Sequence, residues 1–167
     1  MDKFVIRRSV KEDCGQIMDM IRELADVENM LDQVKMTTAI LERDGGFDDT
    51  RPYYFAFVAE NTATKKVVAY AMFVFHYSVR HGKSIHLEDL FVREECRKVG
   101  IGSRLMSAVA LFGRENQCKG LHLHCLEWNV GPMKMYKRRG AVNITEHEDW
   151  HVLRFNSEEF KQQFLTV

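Results

Sequence analysis

The apolar positions change their spacing several times along the chain, and each change marks an element. "FVIRR", Phe4 to Arg8, suits a first strand. Ser9 with Glu12 three residues later has the form of a capping box, and Cys14, Ile17, Ile21 and Leu24 then recur at helical spacing. A polar-flanked segment from Asp26 to Gln33 precedes a short second helix around Thr37 to Arg43, and "DGGFDDTRP" is a loop by composition. "YYFAFVAE" and "VVAYAMFVFHY", joined by the polar "NTATKK", predict a hairpin. A strand over roughly Ser84 to Val92 leads through "RKVGIGS" into a helix reaching about Gln117, with Ile101, Leu105, Ala108 and Phe112 as its apolar stripe. "GLHLHCLEW" reads as a strand, "NVGPMKMYKRRGA" as a helix with its caps, and "WHVLRF" as a last strand. "SEEFKQQFL" reads as a closing helix opened by Ser157. No repeat, linker or low-complexity segment interrupts this order. It describes one mixed α/β domain over residues 1–167.

Within "SIHLEDLFV" the alternation slips. Ile85 and Leu87 alternate with His86 and Glu88, then Glu88 and Asp89 are adjacent acids, and the apolar positions Leu90 and Val92 fall on the opposite parity. A one-residue change of phase is the trace a β-bulge leaves. A solvated acidic pair on an edge strand is the alternative.

Charge narrows the possible partners. Lys plus Arg and Asp plus Glu both number 24, so the chain lacks the basic excess of a general nucleic-acid binder. "MDKFVIRRS" has no apolar leader core, and Val67 to Phe75, the longest apolar stretch, is far short of the ~20 residues of a membrane helix. Cys14, Cys96, Cys118 and Cys125 have no C-x-x-C spacing, and we read them as reduced thiols of a cytoplasmic protein. His122 and His124 share one face of a strand, but no third ligand is evident and no metal is expected.

"RKVGIGS" at a strand-to-helix junction raises the question of a phosphate loop. A Rossmann fingerprint needs a third Gly where Leu105 stands, and a P-loop needs a Gly-Lys-Ser/Thr run that is absent. What remains is a basic pair, two glycines and a serine at a helix start, which suits a pyrophosphate. Further on, Asn129 suits a helix cap, Pro132 the first turn and Gly140 the helix end. Tyr136, two turns after Asn129, shares its face.

"R-x-x-G-x-G" before a helix, followed by "W-N-x-x-P-x-x-x-Y-x-x-x-G-A", resembles the GNAT acetyltransferase superfamily. "FVIR", "IRELADVENM", "LEDLFV", "GIGS", "EWN" and "YKRRGA" in this order extend the resemblance over essentially the whole chain, to the polyamine (spermidine/spermine) and thialysine N-acetyltransferases. The resemblance implies an α/β (α+β) fold, a mixed, mostly antiparallel sheet with splayed central strands flanked by helices. It implies acetyl-CoA as cosubstrate, a small amine as substrate, a homodimer, and no membrane or nucleic-acid partner. It places the pantetheine along Leu90, Phe91 and Val92. The pyrophosphate falls at Arg97, Lys98, Val99 and Gly100 with Ile101, Gly102 and Ser103, and further CoA contacts fall at Asn129, Val130, Gly131 and Pro132. Tyr136 aligns with the catalytic tyrosine, which also meets CoA, while Val27, Glu28 and Glu88 align with substrate-binding positions. Trp150 falls near the substrate, with core packing as the alternative.

The chemistry agrees with those residue types. A lysine-type amine has a pKa near 10.4, so reaching its neutral form at pH 7.4 costs roughly 4 kcal/mol. Carboxylates hold such a cation, and Glu88 relays the proton through water, because an ordinary Glu (~4.3) is a weak base. The other acids, Asp26, Asp32 and Asp89, read as solvated charges. A bulge amide aimed at the thioester carbonyl would stabilise its oxyanion by about 3 kcal/mol, and the Tyr136 phenol serves the departing thiolate. Where the polyamine enzymes carry an Asp-Pro-Trp element, this chain has Ser78, Val79 and Arg80. That favours a thialysine-type amine attacking directly in a ternary complex. A polyamine acetyltransferase and a CoA-binding interaction module without catalysis are the alternatives.

Overall fold

A computed structural model describes residues 3–48, 50–148, 152–156 and 162. The chain divides into two compact units, residues 1–124 and 125–167.

The first unit is built on a five-stranded sheet in the order β1-β2-β3-β4-β5. Its strands are β1 (Phe4–Arg8), β2 (Phe55–Asn61), β3 (Val67–Ser78), β4 (Gly82–Val92) and β5 (Leu121–Leu123). Neighbours are antiparallel except β4 and β5, which run parallel. Helices α1 (Cys14–Val27) and α2 (Thr38–Asp44) pack on one face, burying Ile17, Met18 and Leu41 against Val58, Tyr70 and Phe91. Helix α3 (Ile101–Glu115) covers the other face, setting Ile101, Leu105 and Val109 against Ala71, Phe73 and Leu87. Central β3 is therefore covered on both sides, and Val67 to Phe73 are all buried. This is why its sequence is a continuous apolar run rather than an alternating one. The β2–β3 hairpin turns on Asn61, whose side-chain oxygen accepts from the Ala63 and Thr64 amides at 3.0 and 3.2 Å.

Three local expectations are corrected. The acid that secures the start of the first helix is Asp13, not Glu12. Its carboxylate accepts the Val10 amide at 2.8 Å and both terminal nitrogens of Arg7 at 2.6 and 2.9 Å, and it is almost fully buried. Arg7 also donates to Glu60 across the β1–β2 pair, so the cap is chosen by a strand residue. On α3 the buried row is Ile101, Leu105, Val109 and Gly113, with Ala108 and Phe112 only half-buried. The helix approaches β4 closely there: a Cβ on Gly113 would stand 2.8 Å from Ile85 Cδ1. Finally, β5 is only Leu121–Leu123.

The second unit holds α4 (Val130–Arg138) and α5 (Ile144–His147). The second is an unpredicted short turn, opened by Asn143 accepting the Thr145 amide at 3.3 Å. Residues 152–156 form no strand, and adjacent Val152 and Leu153 break the alternation a half-buried strand needs. Trp150 and the predicted closing helix, apart from Gln162, lie outside the described residues. No helix among the described residues is long and apolar enough to cross a membrane.

Candidate active site

The phase slip is a bulge in the folded sheet. Met72 pairs with Asp89 and Phe73 with Leu87, leaving Glu88 as the extra residue of β4. Ile85 and Leu87 pack toward α3, and beyond the bulge Leu90 and Val92 do so, while Phe91 turns toward α1. Pairing with β5 covers only Ile85 to Leu87. Past Leu87, the outer edge of β4 meets no further strand among the described residues. Its alternate backbone amides past that point have no strand partner on this side among the described residues.

The end of β4 leads into the glycine loop. Arg97 donates from Nε to the Val92 carbonyl at 2.8 Å and lies over the Phe91 ring, so this residue anchors the loop to the strand. Lys98 and Gly100 have φ of +64° and +86°, and the first intrahelical donor of α3 is Arg104, bonded to the Gly100 carbonyl at 3.0 Å. The amides of Ile101, Gly102 and Ser103 precede it and lie in the unpaired first turn. The Ile101 side chain is core, while Val99 is exposed. A Cβ on Gly100 would meet nothing within 4 Å, and one on Gly102 would touch only Val92 Cγ2 at 3.7 Å.

On the α1 face the bulge turns carboxylates together. The Tyr70 hydroxyl, fully buried, donates to Asp89 Oδ2 at 2.7 Å. Burial, and then the Asp89 charge, push the Tyr70 phenol well above its ordinary range, so it stays a donor. Burial raises the Asp89 carboxyl against the lowering effect of that bond. Glu28, capping the C-terminus of α1 beside the exposed Val27, is raised by burial and then by Asp89. Asp89, expected as a solvated charge, is instead a half-buried partner of Tyr70. Glu88 itself is exposed, with its Oε2 3.4 Å from His86 Nε2.

In the second unit Asn129 occupies the N-cap position of α4 but makes no side-chain capping bond, and its carbonyl accepts the Met133 amide at 3.1 Å. Val130 and Gly131 open the helix, and Pro132 in its first turn lacks an amide that no partner there requires. Tyr136 is the buried residue of α4, and Gly140, at φ +88°, ends the turn.

The acetyltransferase (GNAT) family model matches residues 18–141. The chain belongs to the GNAT family. This GNAT protein is 41% identical over 166 residues to the thialysine N-epsilon-acetyltransferase of Bos taurus, covering 95% of the chain and 96% of the relative. It is 36% identical to the spermidine/spermine N(1)-acetyltransferase-like protein 1 of Homo sapiens, covering 95% of the chain but 23% of that protein. An integron cassette protein from the V. cholerae mobile metagenome shares its fold, with a TM-score of 0.74 at 20% identity and 98% of each chain covered. The expected fold and acetyl-CoA-dependent N-acetyltransferase activity therefore stand.

The glycine loop of this acetyltransferase fits its cosubstrate. A helix start with three unpaired amides, a Gly100 at which a Cβ would meet nothing within 4 Å, and the adjacent Lys98 make up a donor set suited to a pyrophosphate. A groove of about 800 Å³, lined by Val5, Phe57, Leu111 and Phe112, lies toward the β1 end of the strand order and reaches Ser103 at the start of α3. Sequence reading missed Tyr70, Asp89, His76 and His86. The phase slip could have flagged Asp89, since a bulge turns two successive side chains out of simple alternation. Nothing local distinguishes Tyr70 from other core aromatics.

Proposed function

We propose that this enzyme acetylates the primary amine of a small basic metabolite of lysine-analogue type, by direct attack while amine and acetyl-CoA are bound together. The observation that carries the reading is the slip at Glu88. It brings an unpaired length of β4 edge, an exposed carboxylate and the half-buried Asp89 to one point of the sheet. Burial raises the cost of ionising both Glu28 and Asp89, and the Asp89 charge adds to that cost at Glu28, so an ammonium group beside them would offset it. The turn joining β3 and β4 carries Arg80, whose amide, like that of His81, donates to Ser78 Oγ. A basic turn disfavours a long polycation and suits an amine bearing its own carboxylate. The bovine relative's named substrate, thialysine, is of this kind.

Acetyl-CoA supplies the activated acetyl group when bound. Lys98 and the amides of Ile101 to Ser103 hold its pyrophosphate, with Arg97 and Val99 shaping the loop. The Leu90–Val92 edge would line its pantetheine arm, and a backbone amide there would serve as a hydrogen-bond donor to the thioester carbonyl. Asn129, Val130, Gly131 and Pro132 contribute further CoA contacts. Val27, Glu28 and Asp89 hold the amine, Glu88 receives its proton, and the Tyr136 hydroxyl donates toward the departing sulfur. The reading takes residues 1–167 as one domain, supported by a family match that runs across the division at 124/125. It also takes the enzyme to be a cytoplasmic homodimer.

A thiol-release assay with acetyl-CoA and thialysine, lysine, spermidine and diamines tests this. Thialysine is expected to turn over fastest; spermidine in first place would move the enzyme to the polyamine branch. No thiol release with any amine would leave a CoA-binding interaction module. Tyr136→Phe should cut turnover strongly while acetyl-CoA binding holds, and near-normal turnover would remove Tyr136 from its role.

A further inference from the structure

The sheet gathers four imidazoles that are scattered in sequence. His76 on β3, His86 on β4, and His122 and His124 at and just past β5 are brought together beside the bulge. The His76 and His122 rings meet edge-on at 5.5 Å between centres, and those of His86 and His124 at 4.9 Å. Among the described residues no three His, Cys, Asp or Glu side chains are placed to hold a metal ion. His76 is tied down: its Nδ1 lies 3.2 Å from Ser84 Oγ, which itself donates to the His76 carbonyl. His86 instead turns Nε2 toward Glu88 Oε2 at 3.4 Å, the one ion-pair partner Glu88 has among the described residues.

Taking Glu88 as the receiver of the amine proton, as proposed above, we infer that His86 positions the Glu88 carboxylate and carries that proton onward to solvent. An ordinary carboxylate lies about six pKa units below a lysine-type ammonium, whereas an imidazole narrows the gap to about four. A proton on Glu88 has a route onward to His86 Nε2, which faces its Oε2 at 3.4 Å. Burial lowers the affinity of His86 for a proton, and His124, His76 and His122 act in the same direction against the pull of Glu88. The ring is accordingly neutral and able to accept near neutral pH. His124, its ring centre 4.9 Å from that of His86, is exposed.

The step balances. The ammonium gives one proton to Glu88, Glu88 gives it to His86 Nε2, and the imidazolium releases it to water. The nitrogen lone pair then forms the N–C bond, the C–S bonding pair leaves with sulfur, and the second amine proton ends on that sulfur. Amide, CoA thiol and one proton leave in each turnover.

The test is the pH profile of kcat in the thiol-release assay, for the full chain and two variants. His86→Gln should lower kcat by ~10- to 100-fold and abolish the acidic limb, with the KM for acetyl-CoA unchanged. Added imidazole should restore rate to His86→Ala. His124→Gln, at an exposed position, should move the acidic limb to higher pH, because one repelling imidazole is gone. A His86→Gln enzyme with the wild-type kcat and limb would overturn the relay and leave the acetyltransfer reading intact. If His86→Gln melts early, an unmoved limb in His124→Gln overturns it equally. A wild-type chain that releases no thiol would overturn the reading on which the relay rests.

Discussion

Replacing Tyr70 by Phe removes one hydroxyl from the floor of the candidate amine site and little else. The ring stays fully buried against Phe91, with ring centres 6.5 Å apart, so packing is retained. The loss is the 2.7 Å bond to Asp89. A hydrogen bond to a charged group contributes about 1.5–3 kcal/mol, and in a domain of this size each kcal/mol moves Tm by about 2–4 °C. The variant should therefore melt about 3–12 °C lower at pH 7. The deficit has a pH signature. Burial raises the folded-state pKa of Asp89 and the Tyr70 bond lowers it, so the variant raises it further. A carboxyl whose folded pKa lies above its unfolded value favours the fold below the unfolded pKa and loses that contribution as pH rises through the folded one. The melting deficit of Tyr70→Phe should hence shrink as pH falls and the carboxyl takes up its proton, since a neutral carboxyl forms only a ~1 kcal/mol bond, and grow toward pH 7. Calorimetry of both proteins from pH 4 to 8, repeated in an Asp89→Asn background where the deficit should lose its pH dependence, measures this. A deficit that is flat with pH, or absent, would refute the account of the Tyr70–Asp89 pair.

Other outcomes follow from the same geometry. Asp13→Ala strips Arg7 of its bidentate partner and frees the Val10 amide, and urea unfolding should show a loss of about 2–3 kcal/mol, below the full cost of breaking a buried pair because Arg7 is partly exposed. Asp13→Asn, which keeps an acceptor for that amide, should lose less. Gly100→Ala should cost about 1–2 kcal/mol from its left-handed backbone alone, since a Cβ there meets nothing. Gly102→Ala should hold stability or raise it by up to ~1 kcal/mol, because its Cβ makes only an ordinary contact with Val92. Equal losses at the two glycines in thermal melts would contradict the assigned backbone conformation.

What the sequence determined alone is what local spacing can encode. Strand and helix periods placed β1 to β4 and α1 to α4, and the adjacent acids at 88 and 89 announced the bulge, because a change of parity is written in consecutive residues. The glycine loop was legible for the same reason: Gly100 and the helix after it are neighbours in the chain. What only the tertiary structure decided are encounters between residues far apart in sequence. Asp13 rather than Glu12 secures the first helix because Arg7, reaching over from β1, selects it. Asp89 is half-buried because Tyr70, nineteen positions earlier, lies beneath it across the β3–β4 pair. The strand after α3 is short because β4 stops pairing with it at the bulge. His86 acquires neighbours from β3 and β5 only once the sheet is assembled. Periodicity fixes which face of its own element a residue occupies. It carries no information about what another element sets against that face, and the candidate chemistry resides in those cross-strand encounters.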